Sequence, residues 1–342
     1  MSGFTTRNKP AWDELETLVK KGRRSVGSMT PAELSRLDVL YRRTSIHLSQ
    51  ATTRSTDRRL QAYLNGLTSA AHSLIYLPPS RSLTAGLRFL LVEGIARAWA
   101  RNWRCHASSA ALLIGGALVA YFAALTDPQA AYALWPPAMA GERQPGSTAE
   151  QLLESLRSGR DQAGGEKFLF ASFLFANNLR VGILAAAAGI LAGVPTVFLM
   201  IYNGMLLGVF VALHHRVGIY DEMWAWILPH GITEIGAIVL CGGVGLMFGE
   251  AILAPGERTR GEALRATGRE AGIVALSAAL MLIAAAIIES YLRQSHLSTS
   301  ARFIFAGGTA VFWAAFIAYG FVREAAARRA TASSAIADLE NG

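Results

Sequence analysis

Residues 181–213, VGILAAAAGILAGVPTVFLMIYNGMLLGVFVAL, run for 33 positions without a charge. About 20 apolar helical residues cross a bilayer core, so this stretch is too long for one crossing and has to turn inside itself. The turn is expected at Tyr202-Asn203-Gly204, with Gly193-Val194-Pro195 as the alternative. Further apolar stretches lie on either side, at about 107–125, 224–248, 273–292 and 303–322. Hydrocarbon offers no partners to backbone N–H and C=O groups, so spans must be helices or closed barrels. Stretches of this length select helices. The fold class expected is all-α, a polytopic helical membrane protein, with spans at 107–125, 180–201, 204–217, 224–252, 273–292 and 303–322. The third is short enough to be re-entrant.

Composition agrees and is uneven. The chain has 342 residues, 52% of them hydrophobic, and a mean hydropathy of +0.32. Residues 1–104 hold 17 Lys/Arg against 7 Asp/Glu, the rest 15 against 17. Such an excess before the first span reads as cytoplasmic by the positive-inside rule and suits anionic headgroups. The basic residues are scattered over helix faces without interleaved aromatics, so nucleic acid is not expected as a partner. No signal peptide is expected, because the N-terminus lacks an apolar core and cleavage site. Cys105 and Cys241 lack CxxC spacing and read as two inert buried thiols.

Four segments follow from the pattern: a cytoplasmic helical bundle over 1–79, an interfacial amphipathic helix over 80–104, the membrane domain over 105–322 and a cytoplasmic tail over 323–342. In the bundle, Trp12, Leu15, Leu18 and Val19 share one helix face. Thr30-Pro31-Ala32-Glu33 is a capping box with proline at the first helical position. The helix it opens carries Leu34, Leu37, Tyr41 and Leu48, and a third begins near Asp57 with Leu60, Leu64, Leu67, Ala71 and Leu74 at helical spacing. In 80–104, Leu87, Leu90, Leu91 and Ile95 oppose Arg88, Arg97, Arg101 and Arg104, which predicts a helix lying in the interface or a lengthened first span. The same patterning puts both termini in the cytoplasm, with 24 Lys/Arg inside and six in the outer connections.

Several polar residues fall within or beside these spans, where a charge costs about 2.5–3.5 kcal/mol on insertion scales. Asn177, Asn178 and Arg180 open the second span. Pro229, His230 and Gly231 lie early in the fourth, with Glu234 four residues after His230 and so on the same helix face. Glu289 lies in the outer turn of the fifth. Arg180 is expected to pair with Glu234 or Glu289, and Pro229 with Gly231 to interrupt the helix. Asn203 and Glu250 form a thinner group near the inner end. Three readings stay open for the cluster: structural pairing, a cation or proton pathway or small-molecule site, and a metal-dependent hydrolase. Against the last, there is no HExxH, and catalytic zinc usually takes three protein ligands. The adjacent His214-His215 pair is weak evidence for a metal. No cofactor, metal or catalytic residue is expected.

These residues give the chain a resemblance to the stage II sporulation protein M family. It is carried by Trp12 through Leu37, Tyr41-Arg42-Arg43, Tyr63-Leu64-Asn65 and Ala71-His72. It continues through Asn177-Asn178-Leu179-Arg180-Val181, Tyr202-Asn203-Gly204-Met205-Leu206-Leu207-Gly208 and Trp226-Ile227-Leu228-Pro229-His230-Gly231 with Glu234. Gly261-Glu262-Ala263-Leu264 and Ile288-Glu289 complete it. Where the family usually has an aliphatic residue and then proline after the Glu, this chain has Ile235-Gly236. The resemblance implies an integral bacterial inner-membrane protein, and the namesake recruits a peptidoglycan-cleaving assembly during engulfment. The family brings no catalytic residues. The expected function is a non-enzymatic membrane scaffold that anchors or recruits cell-envelope partners; the alternative is a transporter or channel-like protein using the polar cluster. The partners implied are the lipid bilayer, membrane or envelope proteins and a second copy of the chain.

Overall fold

The computed structural model of the chain describes residues 2–24, 28–54, 57–76, 83–136, 144–157, 176, 178–293 and 297–340. Among these residues every regular element is helical and there is no strand. They form two compact units, Met1–Gly86 and Leu87–Gly342. Asn177 lies outside the described residues.

The first unit is the expected bundle, made of α1 (Ser2–Arg24), α2 (Pro31–Arg54) and α3 (Arg58–Tyr76). The capping box forms: the Glu33 amide donates to Thr30 Oγ1 at 3.3 Å and the Thr30 amide to Glu33 Oε2 at 2.8 Å. Asp57 caps α3 by accepting from the Arg59 amide at 3.0 Å. Trp12, Leu15 and Val19 meet Leu64, Leu67 and Ala71 in one core. On α2 the buried stripe is Leu37, Leu40, Thr44, His47 and Ala51, while Leu34, expected inside, is exposed. The register is set by His47, whose Nδ1 accepts from Trp12 Nε1 at 3.1 Å. A polar residue thus occupies a core position that an apolar count passes over.

α4 (Leu83–Phe89) spans the boundary between the units and leads through a π turn (Leu90–Gly94) to α5 (Ile95–Arg101). The chain bends at Asn102 (φ −104°, ψ 20°) into α6 (Trp103–Thr126). Then come α7 (Pro128–Leu134), α8 (Ala149–Arg157), α9 (Asn178–Ile190), α10 (Val194–Arg216), α11 (Tyr220–Leu253), α12 (Arg260–Ile288) and α13 (Thr299–Glu340). Among the described residues five helices are long and apolar enough to cross a bilayer: α6, α10, α11, α12 with its continuation to Leu292, and α13. This is a multi-pass α-helical membrane protein.

The break in the long uncharged stretch falls at 191–193, where Ala192 (φ 57°) and Gly193 (φ 76°) take left-handed backbone, and not at Tyr202-Asn203-Gly204. The expected spans 180–201 and 204–217 are therefore redrawn as α9 and one continuous α10. Asn203 stays helical by donating from Nδ2 to its own Leu199 carbonyl at 2.7 Å. Gly204 and Gly208 are not breakers: they let α6 approach, and a Cβ at either would collide with the Leu113 or Ala117 carbonyl. Small residues four apart allow such close packing of spanning helices.

Residue-to-residue contacts fix the direction of each pass. Gly204 meets Leu113, Gly208 meets Ala117 and Arg216 reaches the Ala124 carbonyl, so α6 and α10 run parallel. Two parallel consecutive spans require a return between them, and α9 supplies it. Gly182, Gly189 and Gly193 pack on Cys241, Gly245 and Gly249 in that order, parallel to α11. From the level of Glu234 to that of Gly249 is 15 residues, about 22 Å of helix rise. α10 is antiparallel to α11, with Thr196 at Gly245 and His215 at Trp224. α12 is antiparallel to α11, with Met281 at Gly236. α13 closes the unit, Trp313 Nε1 donating to Thr233 Oγ1 at 3.0 Å and Gly320 packing on Ala96. Among the described residues α6, α9, α10, α11, α12 and α13 alternate in direction, with the start of α6 and the end of α13 at one end. α11 is central, 61% of its apolar window being buried against 11% for α13.

Within the segment 80–104 the described residues begin at Leu83, and Ile95, Ala96 and Ala98 to Ala100 pack into the unit. Ile95, Ala98 and Trp99 are buried against α11 and α12, and Trp99 Nε1 donates to Ser277 Oγ at 2.9 Å. Its arginines bind acids: Arg97 to Glu93 and Glu324, Arg101 to Glu270 and Glu324. Arg323 adds a 2.8 Å bond to Glu93. This charged network marks the end where α6 begins and α13 leaves.

Candidate functional site

The site is built on the opposite half of α11. His230 stands ten residues after Tyr220, about 15 Å along the helix. Pro229 and Gly231 flank it, and all three are buried. The expected interruption is absent: α11 is continuous from Tyr220 to Leu253 with Pro229 inside it. Helices in membranes tolerate proline where neighbouring groups re-satisfy the freed backbone.

One turn on, Glu234 projects from the same face. Glu289, at the end of α12, comes to meet it. One ligand-type atom each from His230, Glu234 and Glu289 lie within 4.8 Å of one another. His230 and Glu289 are 6% and 5% exposed, and Glu234 is partly buried. Asn178, at the start of α9, donates from Nδ2 to Glu234 Oε1. The edge of His230 meets the Trp226 ring at 5.6 Å and 87°. Beside them the Trp313–Thr233 bond ties α13 to α11.

Chemically the arrangement offers one imidazole nitrogen and two carboxylates in a low-dielectric setting, where like charges repel strongly. A proton or a cation shared among them relieves that repulsion. Of the residues expected in the cluster, Asn178, Pro229, His230, Gly231, Glu234 and Glu289 come together. Arg180 does not: it is exposed and makes no ion pair with either acid among the described residues. Two positions after Asn178 on a helix it points away, since residues two apart do not share a face. Asn203 is also elsewhere, at the level of Leu113. Glu250, expected with it, sits instead 3.5 Å from Cys105 Sγ, eight residues and about 12 Å of rise from Leu113.

The His214-His215 pair is occupied by packing. His214 Nδ1 bonds the Phe210 carbonyl at 2.8 Å. His215 accepts from Trp224 Nε1 at 3.2 Å and shares a 2.9 Å bond between Nδ1 and the Tyr121 hydroxyl. Thr233 with Trp313 is the pair that sequence reading missed; a threonine one residue before Glu234 in an apolar run was its only signal.

A buried His/Glu/Glu/Asn cluster among five helices long and apolar enough to cross a bilayer defines a polytopic α-helical membrane protein with an ionisable site inside its span region. The chain belongs to the stage II sporulation protein M family, whose model matches residues 109–293, more than half of it. A domain of unknown function (DUF8413) matches residues 2–77, which is the helical bundle. No curated protein and no solved structure matches the chain.

Proposed function

We propose that this protein is a non-enzymatic scaffold of the bacterial inner membrane, with both termini cytoplasmic, that anchors or recruits cell-envelope partners such as peptidoglycan-remodelling proteins. One observation carries the reading: a helical bundle with its own core, matching its own family model, is joined to a multi-pass membrane unit. A part able to fold on its own surface, tethered at the membrane, suits docking rather than chemistry. The excess of Lys/Arg in residues 1–104 supports the cytoplasmic side for that bundle.

A second reading is favoured by the convergence of His230, Glu234 and Glu289. Intramembrane ionisable groups mark ion or proton routes by default, so a transporter or channel-like protein is the alternative. Cross-linking the tagged full chain in native membranes separates the two. Cell-wall enzymes or their membrane regulators in the cross-linked fraction support the scaffold. Their absence, together with cation or proton flux in proteoliposomes, replaces it by transport.

A further inference from the structure

We infer that His230, Glu234 and Glu289 form a binding site for one divalent transition-metal ion within the membrane unit. The inference rests on the site's own geometry and stands whether or not the chain is a scaffold.

The donor set is mixed in kind. An imidazole with two carboxylates suits first-row ions such as the borderline Zn²⁺ and, through its oxygens, the harder Mn²⁺, whereas Mg²⁺ and Ca²⁺ favour oxygen alone. It also comes from two helices that are packed together. His230 and Glu234 share a face of α11 by their i, i+4 spacing, and Glu289 arrives from the end of α12. Their ligand atoms fall within 4.8 Å of one another, which brackets the separations that bonds of about 2.0–2.2 Å to one ion produce.

The supports around the donors are those that metal sites use. Ligating carboxylates are usually held by hydrogen bonds from outside, and Asn178 holds Glu234 in this way from a third helix. The edge-on contact with Trp226 limits rotation of the His230 ring. The Thr233–Trp313 bond fixes the backbone between His230 and Glu234 against α13. Counting ligands along one span gives only His230 and Glu234; the third comes from Glu289, 55 residues further on.

The experiment uses the full chain, purified in detergent through a tag without histidine, stripped with chelator and dialysed against Zn²⁺, Mn²⁺ or Mg²⁺. Bound metal per chain is then counted by mass spectrometry. One Zn²⁺ or Mn²⁺ per chain is expected, with Mg²⁺ at least tenfold weaker. Glu289→Gln and His230→Gln should lose the ion. Asn178→Ala, which keeps all three donors, should weaken binding by roughly 10–100-fold. His215→Gln should bind as the parent does. X-ray absorption of the Zn²⁺-loaded parent chain needs no variant to fold, and should give nitrogen and oxygen donors with one imidazole. No stoichiometric metal on the folded parent, a sulfur or second imidazole in its spectrum, or full binding by a folded Glu289→Gln chain would each overturn the inference. A proton shared by the two acids is then what the cluster holds.

Discussion

At the scale of single residues, Glu234 and His47 show what the structure adds to the sequence. The sequence places Arg180 beside the acids, but the partner that reaches Glu234 is Asn178. Glu234→Ala takes the acceptor from a partly buried amide donor and should cost about 1–3 kcal/mol. Glu234→Gln keeps an acceptor for Asn178 and should cost under about 1 kcal/mol. Arg180→Ala, at an exposed position, should stay within about 0.5 kcal/mol. Thermal unfolding in detergent orders the three variants, and an Arg180→Ala loss as large as that of Glu234→Ala would restore the ion pair. His47 is pulled below the ordinary histidine range by burial, with repulsion from Arg43 adding to it. Its neutral Nδ1 accepts from Trp12. The unfolded chain therefore binds the proton more readily than the folded one. Stability from this group is fully present above the unfolded value of about 6.5 and is lost as pH falls below it. Hydrogen exchange of α1–α3 in the full chain, corrected for intrinsic rates, should quicken between pH 7 and pH 5. His47→Gln should remove most of that pH dependence.

Among the elements, periodicity made the helices legible and left their ends and roles to packing. The capping box at Thr30 and Glu33 was readable because its signal is local. So were the faces of α1 and α3. The turn between α9 and α10 was not, since both Gly193-Val194-Pro195 and Tyr202-Asn203-Gly204 carry glycine in an apolar run. What separates them is a distant neighbour: Gly204 is needed for contact with α6, while Gly193 adopts a left-handed backbone. Adjacent glycines in α6 test this reading. A Cβ at Gly116 would run into the Ile201 carbonyl, whereas one at Gly115 meets nothing within 4 Å. Gly116→Val should destabilise by about 1–3 kcal/mol or more through overpacking, and Gly115→Val should be nearly silent. Equal losses in detergent unfolding would mean that the α6–α10 contact does not set the cost.

For the membrane unit as a whole, the order of passes follows from which contacts ascend together. α6 and α10 run parallel although they are consecutive long spans, and only a reversal between them permits that. α9 has 13 residues, Asn178–Ile190, too few to be recognised as a crossing by length, since about 17–25 residues are the usual requirement. It ends at the left-handed turn at 191–193 and packs on the glycines of α11, parallel to that helix, so it is expected to carry the chain back across the membrane. The buried site depends on this, because Asn178 reaches Glu234 only when α9 begins at that level. Reporter fusions after residues 100, 260 and 335 should then fall on one side and fusions near 145 and 297 on the other. By the positive-inside rule the first group is expected on the cytoplasmic side. A fusion within the connection 217–219 tests α9 directly: it should report with residues 145 and 297. Were it to report with residue 260, α9 would be re-entrant and the parallel packing of α6 and α10 could not hold in the membrane.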